Sequence, residues 1–581
     1  MKNKPGLRVI GLAMSVALTA CGGSSGGDGP ATPETPQTPE IADAPDAPEA
    51  PEVIDAPESP DTPEVIADDD TGVVVDPQSP ELLAVGASRS GFVAQGESAI
   101  FRVPSDANIS MFSTAGDADL ILYSSEDFTI DTVLCNNGNY WQEENCTGSD
   151  PDGEIFAQVF GRTATSFSIN VSNDCSVGAV NEWAYRNMQD YYLFADSVPV
   201  VDPLSYATTS ELVRDVRLQS LDPFSDVSDA AARQAFFSEG RTFGFGFSLA
   251  NDDDNNARII RVSDDAPFGR AGIRRGDILV GINGELWTDI DNTRFFELVG
   301  DRDNPIPSTW QFIRGDTGAA EEFTLTASEY TINTVLHDFI YTHPDFTGSI
   351  GYLAFDGFLG ISEAELDVAI SRLAEGGVTE LVLDLRYNGG GLISVANRLA
   401  SQIGGPDLDG NLLAVYEFND TYTAQNFPLI MSAATPTLDL DRVVVLTTDN
   451  TASSSELLIN GLRPFMEVVL VGEATTGKPF ISQPKEFCGI ALSAMAAQGV
   501  NANGVSAAGS IAADCFAADD ITRDFGGVGA DVEGMLLSGL DHIVFGTCNA
   551  APALAKRASS EVFHSDNMPR LGAVADPVRS R

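Results

Sequence analysis

Positive charge is scarce in this chain: 32 Lys and Arg stand against 85 Asp and Glu, a formal net charge of −53 at neutral pH. A surface of that sign repels a phosphate backbone, which excludes nucleic acid as a partner. Histidine is scarcer still, at four residues in 581, and the seven cysteines do not have the spacing of a zinc site. No metal or other cofactor is therefore expected. Beyond the N-terminus no run reaches the ~18 apolar residues of a membrane-spanning helix. The length exceeds what one core can serve, so three or more domains are expected.

The N-terminus has the three parts of a targeting segment: basic Lys2, Lys4 and Arg8, an apolar stretch over 9–18, then Leu18-Thr19-Ala20-Cys21. It resembles a bacterial lipoprotein signal. That resemblance implies a signal segment over 1–21, with cleavage before Cys21, lipid on the retained Cys21 thiol and a membrane anchor. An ordinary secretory signal is the alternative reading, and both export the chain. By analogy with the enterobacterial sorting rule, Gly22 after the cysteine points to the outer membrane, facing periplasm or surface. From 22 to about 80 there is no Lys or Arg, only Pro, Glu, Asp, Thr and Ala with a few others. Such a segment has too little apolar surface to offset its ordering entropy, so 22–82 is expected to be a disordered acidic stalk.

Export permits disulfides. With Cys21 set aside, six cysteines remain, and these allow 15 pairings. Domain layout favours Cys135–Cys146 and Cys488–Cys515 as local pairs, with Cys175–Cys548 closing the larger region.

Short alternating segments at 98–103, 119–123, 155–160 and 166–171 predict a small β-sandwich over 83–173. Here G-D-A-D-L-I-L-Y at 116–123, the loop from Cys135 to Cys146, and I-F-A-Q-V-F-G at 155–161 resemble a bacterial pre-peptidase C-terminal domain. The resemblance implies an accessory module that engages a surface or substrate. Residues 174–240 read as helical: aromatics between 181 and 194 recur at helical spacing, as a core stripe does. Ser228-Asp229 is the expected cap of a helix running to 240. Over 241–328 come F-G-F-G-F at 243–247, R-I-I-R-V at 258–262 and P-F-G-R-A-G-I-R-R-G-D-I-L-V-G-I-N-G-E at 267–285. This stretch resembles a PDZ domain, whose loop receives a peptide's C-terminal carboxylate while the adjacent strand edge pairs with the peptide. The matching loop positions are Phe245, Gly246 and Phe247.

In 329–548, strands expected at 349–358, 378–385, 443–446 and 468–471 alternate with helices at 362–375, 392–402 and 454–462, an α/β core. Residues 549–581 read as a loose polar tail. Two turns beyond strand ends carry reactive groups: the serine cluster Ser453, Ser454, Ser455, and Lys478. The bland reading of Ser453 is a helix N-cap. Gly472 to Lys478 also satisfies G-x-x-x-x-G-K, but Pro479 stands where a nucleotide site needs Ser or Thr for magnesium. His337 and His343 are read as structural.

T-A-S-S-S-E-L at 451–457, V-V-L-V-G-E-A-T-T-G-K at 468–478 with 25 residues from Ser453 to Lys478, and D-L-R-Y-N-G-G-G-L at 384–392 resemble the C-terminal processing (tail-specific) peptidases. These are serine proteases with a Ser–Lys dyad. The resemblance implies Ser453 as nucleophile, Lys478 as general base, and the N–H groups of Gly390 and Ser454 as an oxyanion hole. A lysine serves as base only when desolvated, so Glu473 nearby is expected to point away. The family's lysine-orienting glutamine, four residues after the lysine, is replaced by Ser482; Gln483 follows one later, and either residue is a candidate third member. Thr451 and Ser454 also depart from the family pattern. The expected function is an exported, lipid-anchored serine endopeptidase acting on proteins or peptides with free C-termini. The alternative is a non-catalytic peptide-binding adaptor on a degenerate protease scaffold. Oligomeric state is not legible.

Overall fold

The computed structural model describes residues 80–105, 107–113, 118–125, 133–137, 143–147, 154–172, 174–526, 532–548 and 562–564, together with the pair Arg8–Val9. Lipidation at Cys21, the acidic stalk to residue 79 and most of the C-terminal tail lie outside the described residues. Among the described residues no helix is long and apolar enough to cross a membrane.

The largely parallel sheet of 329–548 is built on valine-rich runs that are apolar on both faces, as a strand covered on two sides requires. Strand Arg442–Thr447 lies centrally, parallel to Val378–Asp384 on one side and Glu467–Gly472 on the other. Ser349–Phe355 and Cys515–Phe516 continue the parallel order outward; Val335–Thr342 adds antiparallel beyond Ser349–Phe355, and Arg8–Val9 pairs on its far side. Alternation then divides the side chains. Leu381, Leu383, Val443 and Val445 pack with Leu366, Ile370, Leu399 and Ile459 from the helices Ser362–Glu375, Ile393–Gly404 and Ser454–Leu462. Val382, Val444, Leu446 and Val469 face the other way, onto Met535, Leu536 and Leu540 of the helix Gly534–Phe545.

After the turn at Lys478 the chain leaves this sheet. It enters a second, four-stranded antiparallel sheet ordered Phe427–Ile430, Leu412–Phe418, Met495–Val500, Phe480–Ser482. A smaller sheet joins Asp226–Asp229 to the hairpin Lys485–Phe487 and Ile490–Ser493. The aromatic stripe of the helical lead is core: Trp183, Met188 and Tyr192 pack on Phe480, Leu492 and Met495. Trp183 stacks on Phe487 with 5.6 Å between ring centroids. The next predicted helix runs over Ala230–Glu239, capped by Asp229, whose side chain accepts from the Ala232 N–H.

Phe247–Asn251, Ala257–Val262, Ile278–Ile282, Ser308–Ile313 and Ala320–Leu325 form an antiparallel sheet around an aromatic core of Phe245, Phe247, Phe268, Trp310 and Phe312. Among the described residues between 80 and 172, an antiparallel sheet of four strands and a sheet of five, in which Glu81–Leu82 runs parallel to Ser98–Pro104 and the other pairs are antiparallel, share a core that includes Phe101, Ile109, Leu120, Val159 and Phe167.

The disulfides differ from expectation. Cys175 bonds Cys488 and Cys515 bonds Cys548, with Cα separations of 5.5 and 5.6 Å, in place of Cys488–Cys515 and Cys175–Cys548. The reason is packing across the sheets rather than proximity in sequence. Seating the hairpin on Trp183 brings its turn, Cys488, to the entrance of the first helix, while the helix Gly534–Phe545 crosses the sheet and returns Cys548 to the edge strand of Cys515. The side chain of Cys135 is outside the described residues, so the Cys135–Cys146 pairing is too. Asn108, from the four-stranded sheet of the N-terminal domain, donates to the sulfurs of Cys175 and Cys488 at 3.0 and 3.1 Å and accepts from the Cys488 N–H at 3.2 Å. The N-terminal domain thus rests on the first disulfide.

Non-reducing peptide mapping is expected to recover Cys175 linked to Cys488 and Cys515 linked to Cys548. Replacing Cys175 and Cys488 by serine is expected to lower stability by about 2–4 kcal/mol, read as a drop in melting temperature.

Candidate active site

The chain leaves strand Arg442–Thr447, and Thr451 pins the turn: its hydroxyl donates to the Leu385 carbonyl at 2.8 Å and accepts from the Thr448 N–H at 3.0 Å. Ser453 then takes φ 57°, ψ −112°, a left-handed conformation for a residue that carries a Cβ. Such a conformation costs on the order of 1–3 kcal/mol and persists only where the surroundings enforce it. Helix Ser454–Leu462 begins at the next residue, so the Ser454 N–H is among those without an intrahelical acceptor, at the positive end of the helix dipole.

What enforces the turn is Glu456, one turn into the helix and fully buried. One of its oxygens, Oε2, accepts from the Ser453 N–H at 2.9 Å and from the Lys478 N–H at 2.7 Å. The other, Oε1, accepts from the Thr475 hydroxyl at 2.5 Å and the Gly477 N–H at 2.6 Å. A single carboxylate therefore holds the serine turn and the lysine turn side by side. Lys478 is half-buried and its Nζ lies 4.9 Å from the centroid of the Phe224 ring, a cation–π distance. Glu473 is exposed, as expected.

Gly390 packs directly on the Ser453 turn. Its φ is 102°, and a Cβ there would stand 2.7 Å from the Ser453 Cβ and 2.9 Å from the Ser454 nitrogen. Its loop hangs on buried Asn388, whose carbonyl accepts from the Ala452 N–H at 3.1 Å and the Ser455 hydroxyl at 2.9 Å. The Gly390 N–H donates to Asn388 Oδ1 at 2.9 Å. In this conformation that donor is directed within the loop.

Of the residues singled out in the sequence, Ser453, Ser454, Gly390 and the Lys478 backbone come together. Gln483 goes elsewhere: its Oε1 accepts from the Tyr191 hydroxyl of the helical lead at 2.9 Å, and the Tyr191 ring lies 4.7 Å from Lys485 Nζ. Ser482 ends the strand that follows Lys478, half-buried. Phe245 and Phe247 are buried, and Phe247 stacks on Phe268 at 4.2 Å. Their rings are domain core, so this loop offers a ligand only backbone. Gly246 is required there, since at φ 75° a Cβ would meet Ala266 Cβ at 1.9 Å.

A second buried network escaped the sequence reading. Arg386, of the D-L-R-Y-N motif, binds Asp384, Asp519 at 2.6 Å and Glu533 at 2.9 Å. Arg275 reaches in from 241–328 to the same Asp519 oxygen at 2.6 Å and to the Tyr387 hydroxyl at 2.9 Å. Burial alone would raise the Asp519 carboxyl; the Arg275 and Arg386 guanidiniums outweigh it and hold it below the usual carboxylate range. The arginines were visible as motif letters, but Asp519 and Glu533 lie 133 and 147 residues beyond Arg386, and Asp519 lies 244 beyond Arg275. A cavity of about 20 Å³, room for about one water, adjoins Ser453 between Leu413, Tyr416, Leu457 and Phe480. A wider one of about 380 Å³ runs from Ser248 past Arg261, Asp356 and Tyr387 to Gly390.

Residues 349–512 match the model of peptidase family S41, and residues 234–299 match the PDZ domain. One stretch of the chain is thus similar to peptidase family S41 and another to the PDZ domain. It is 27% identical over 270 residues to the chloroplastic carboxyl-terminal-processing peptidase 3 of Arabidopsis thaliana, covering 44% of this chain and 50% of that one. It is 28% identical over 261 residues to the carboxyl-terminal-processing protease of Synechocystis, covering 44% and 58%. The chain thus spans about half the length of these curated relatives. A putative S41 protease from Bacteroides fragilis aligns with a TM-score of 0.46 at 25% identity, over 57% of this chain and 88% of that chain.

Glu456→Ala would strand three N–H groups and a hydroxyl, each worth about 1–3 kcal/mol when buried unpaired. The S41 domain is expected to melt at least ~6 °C lower, measured by calorimetry. Asp519→Asn should also lower the melting temperature at pH 7. Because the folded Asp519 carboxyl is depressed, its contribution is full above the ordinary Asp value of about 3.9 and lost as pH falls through the lower folded value, so the gap between variant and parent should close in acid.

Proposed function

We propose that this protein is an exported serine endopeptidase that cleaves proteins at or near exposed C-terminal segments, with Ser453 as nucleophile and Lys478 as general base. The observation that carries this reading is the strained Ser453 turn, held with the Lys478 turn on one buried carboxylate and packed against Gly390. Ser453 also caps its helix, in a capping box with Glu456, but a cap needs none of that strain, whereas a nucleophile on a sharp strand-to-helix turn does.

In the proposed cycle the Ser453 hydroxyl attacks the scissile carbonyl and its proton passes to the neutral Lys478 amine. The N–H of Ser454 receives the oxyanion, joined by Gly390 once its loop turns that N–H away from Asn388. Collapse forms the acyl-enzyme, and Lys478 returns the proton to the leaving amine. A water deprotonated by Lys478 then releases the acid and restores Ser453. The chemistry needs no cofactor. The small cavity beside Ser453 suits a short apolar side chain before the scissile bond. PDZ recognition of a substrate's C-terminal segment would use the edge of Phe247–Asn251 and the backbone around Gly246.

Anchoring through lipid on Cys21 to the outer membrane, an acidic stalk, and a sandwich related to pre-peptidase C-terminal domains complete the proposal. They would hold the peptidase clear of the membrane and near a surface or substrate. The rival reading, a non-catalytic adaptor, is favoured by Gln483 being engaged with Tyr191 and by the inward Gly390 N–H.

The purified ectodomain should cleave an unfolded protein and C-terminal peptides, while Ser453→Ala and Lys478→Ala each lower the rate by at least ~10³-fold. Cleavage that survives both substitutions would sink the dyad. Binding without cleavage by the unaltered protein would establish the adaptor.

A further inference from the structure

The PDZ sheet has a further member from far along the chain. Val562–His564 pairs antiparallel with Phe247–Asn251, matching Val562 with Ala250, Phe563 with Leu249 and His564 with Ser248. The other side of Phe247–Asn251 is already paired, with Ala257–Val262. With both sides paired, this strand has no free ladder along 248–250.

That edge follows directly on the Gly246 loop, and it is where a PDZ domain adds an extended peptide as a strand. The direction agrees as well. The segment runs with its C-terminal end, His564, at Ser248, next to the loop, as a peptide delivering its carboxylate to the loop must. Ser248 also lines the 380 Å³ cavity that leads past Tyr387 to Gly390, so the segment stands at the mouth of the space between the PDZ domain and the nucleophile turn.

We propose that residues 562–564 are a built-in competitor for the PDZ peptide site, so that an incoming C-terminal segment must displace them before it can be held beside the S41 domain. This rests on reading the Phe247–Asn251 edge as the peptide site. Two features make the competition workable. Cys548 is fixed to Cys515, and Val562 follows 14 residues later, a tether giving an effective concentration on the order of 1 mM. Among the described residues the pairing spans three residues, which a longer substrate strand can outbid. The segment thereby selects against weak or transient partners.

The test compares the full chain with a chain ended after Cys548 and with a double variant, Val562→Pro and Phe563→Pro. Adjacent amides of a strand point in opposite directions, so one of the two prolines removes a ladder donor whichever way the strand is turned. Hydrogen exchange at 247–251 should be about tenfold faster in both altered forms. A fluorescent peptide with a free, apolar C-terminus should bind them about tenfold more tightly. Unchanged exchange in both forms overturns the proposal without any peptide being added. Peptide bound equally by all three forms also overturns it, yet leaves the PDZ edge as a ligand site. Faster exchange with no peptide bound by any form removes the ligand site itself, and the competitor role with it. Protection that rises with protein concentration assigns the strand to a second copy and overturns the intramolecular form.

Discussion

Everything proposed for the S41 domain depends on one buried carboxylate. Glu456 accepts four hydrogen bonds, two per oxygen, from residues on both sides of the helix Ser454–Leu462. A buried charge is tolerated only when its lone pairs are filled, and the groups that fill these are the backbones of the serine and lysine turns. The same bonds that keep the charge satisfied therefore keep Ser453 in a conformation it would otherwise leave. Gly390 follows from this, because no larger residue fits against the turn that Glu456 fixes.

A second set of charges does the same on a larger scale. Asp519 stands between Arg386, at the base of the Gly390 loop, and Arg275, from the PDZ domain. Removing any one partner would leave a buried charge uncompensated, so the PDZ domain and the loop share a structural fate. Beside this junction lies the wide cavity from Ser248 to Gly390, and the Val562–His564 strand sits at its PDZ end. The PDZ edge, the cavity and the Gly390 loop beside Ser453 are thus contiguous in space, although the residues concerned span more than half the chain.

The α/β core was legible because its signals are local. Valine runs buried on both faces, helices of ordinary length and glycine-rich turns each announce themselves within a few residues. Ser453, Lys478 and Gly390 were legible for a related reason: a spacing and three short motifs carry them. Glu456 stood in plain view inside S-S-S-E-L, but nothing local reveals that its acceptors would be claimed by residues 475–478. The fate of Gln483 was hidden for the same cause, since its partner Tyr191 lies 292 residues earlier.

By itself the sequence made legible the α/β alternation, the PDZ-like stretch and the two turns that carry Ser453 and Lys478. These follow from composition and short-range chemistry. Only the tertiary structure decided that Cys175 pairs with Cys488, that the PDZ phenylalanines are core, that Gln483 serves the helical lead, and that residues 562–564 lie on the PDZ edge. Each of these is a contact between segments far apart in the chain, set by how sheets and helices stack, and no local pattern of residues encodes which distant surface a side chain or strand will meet.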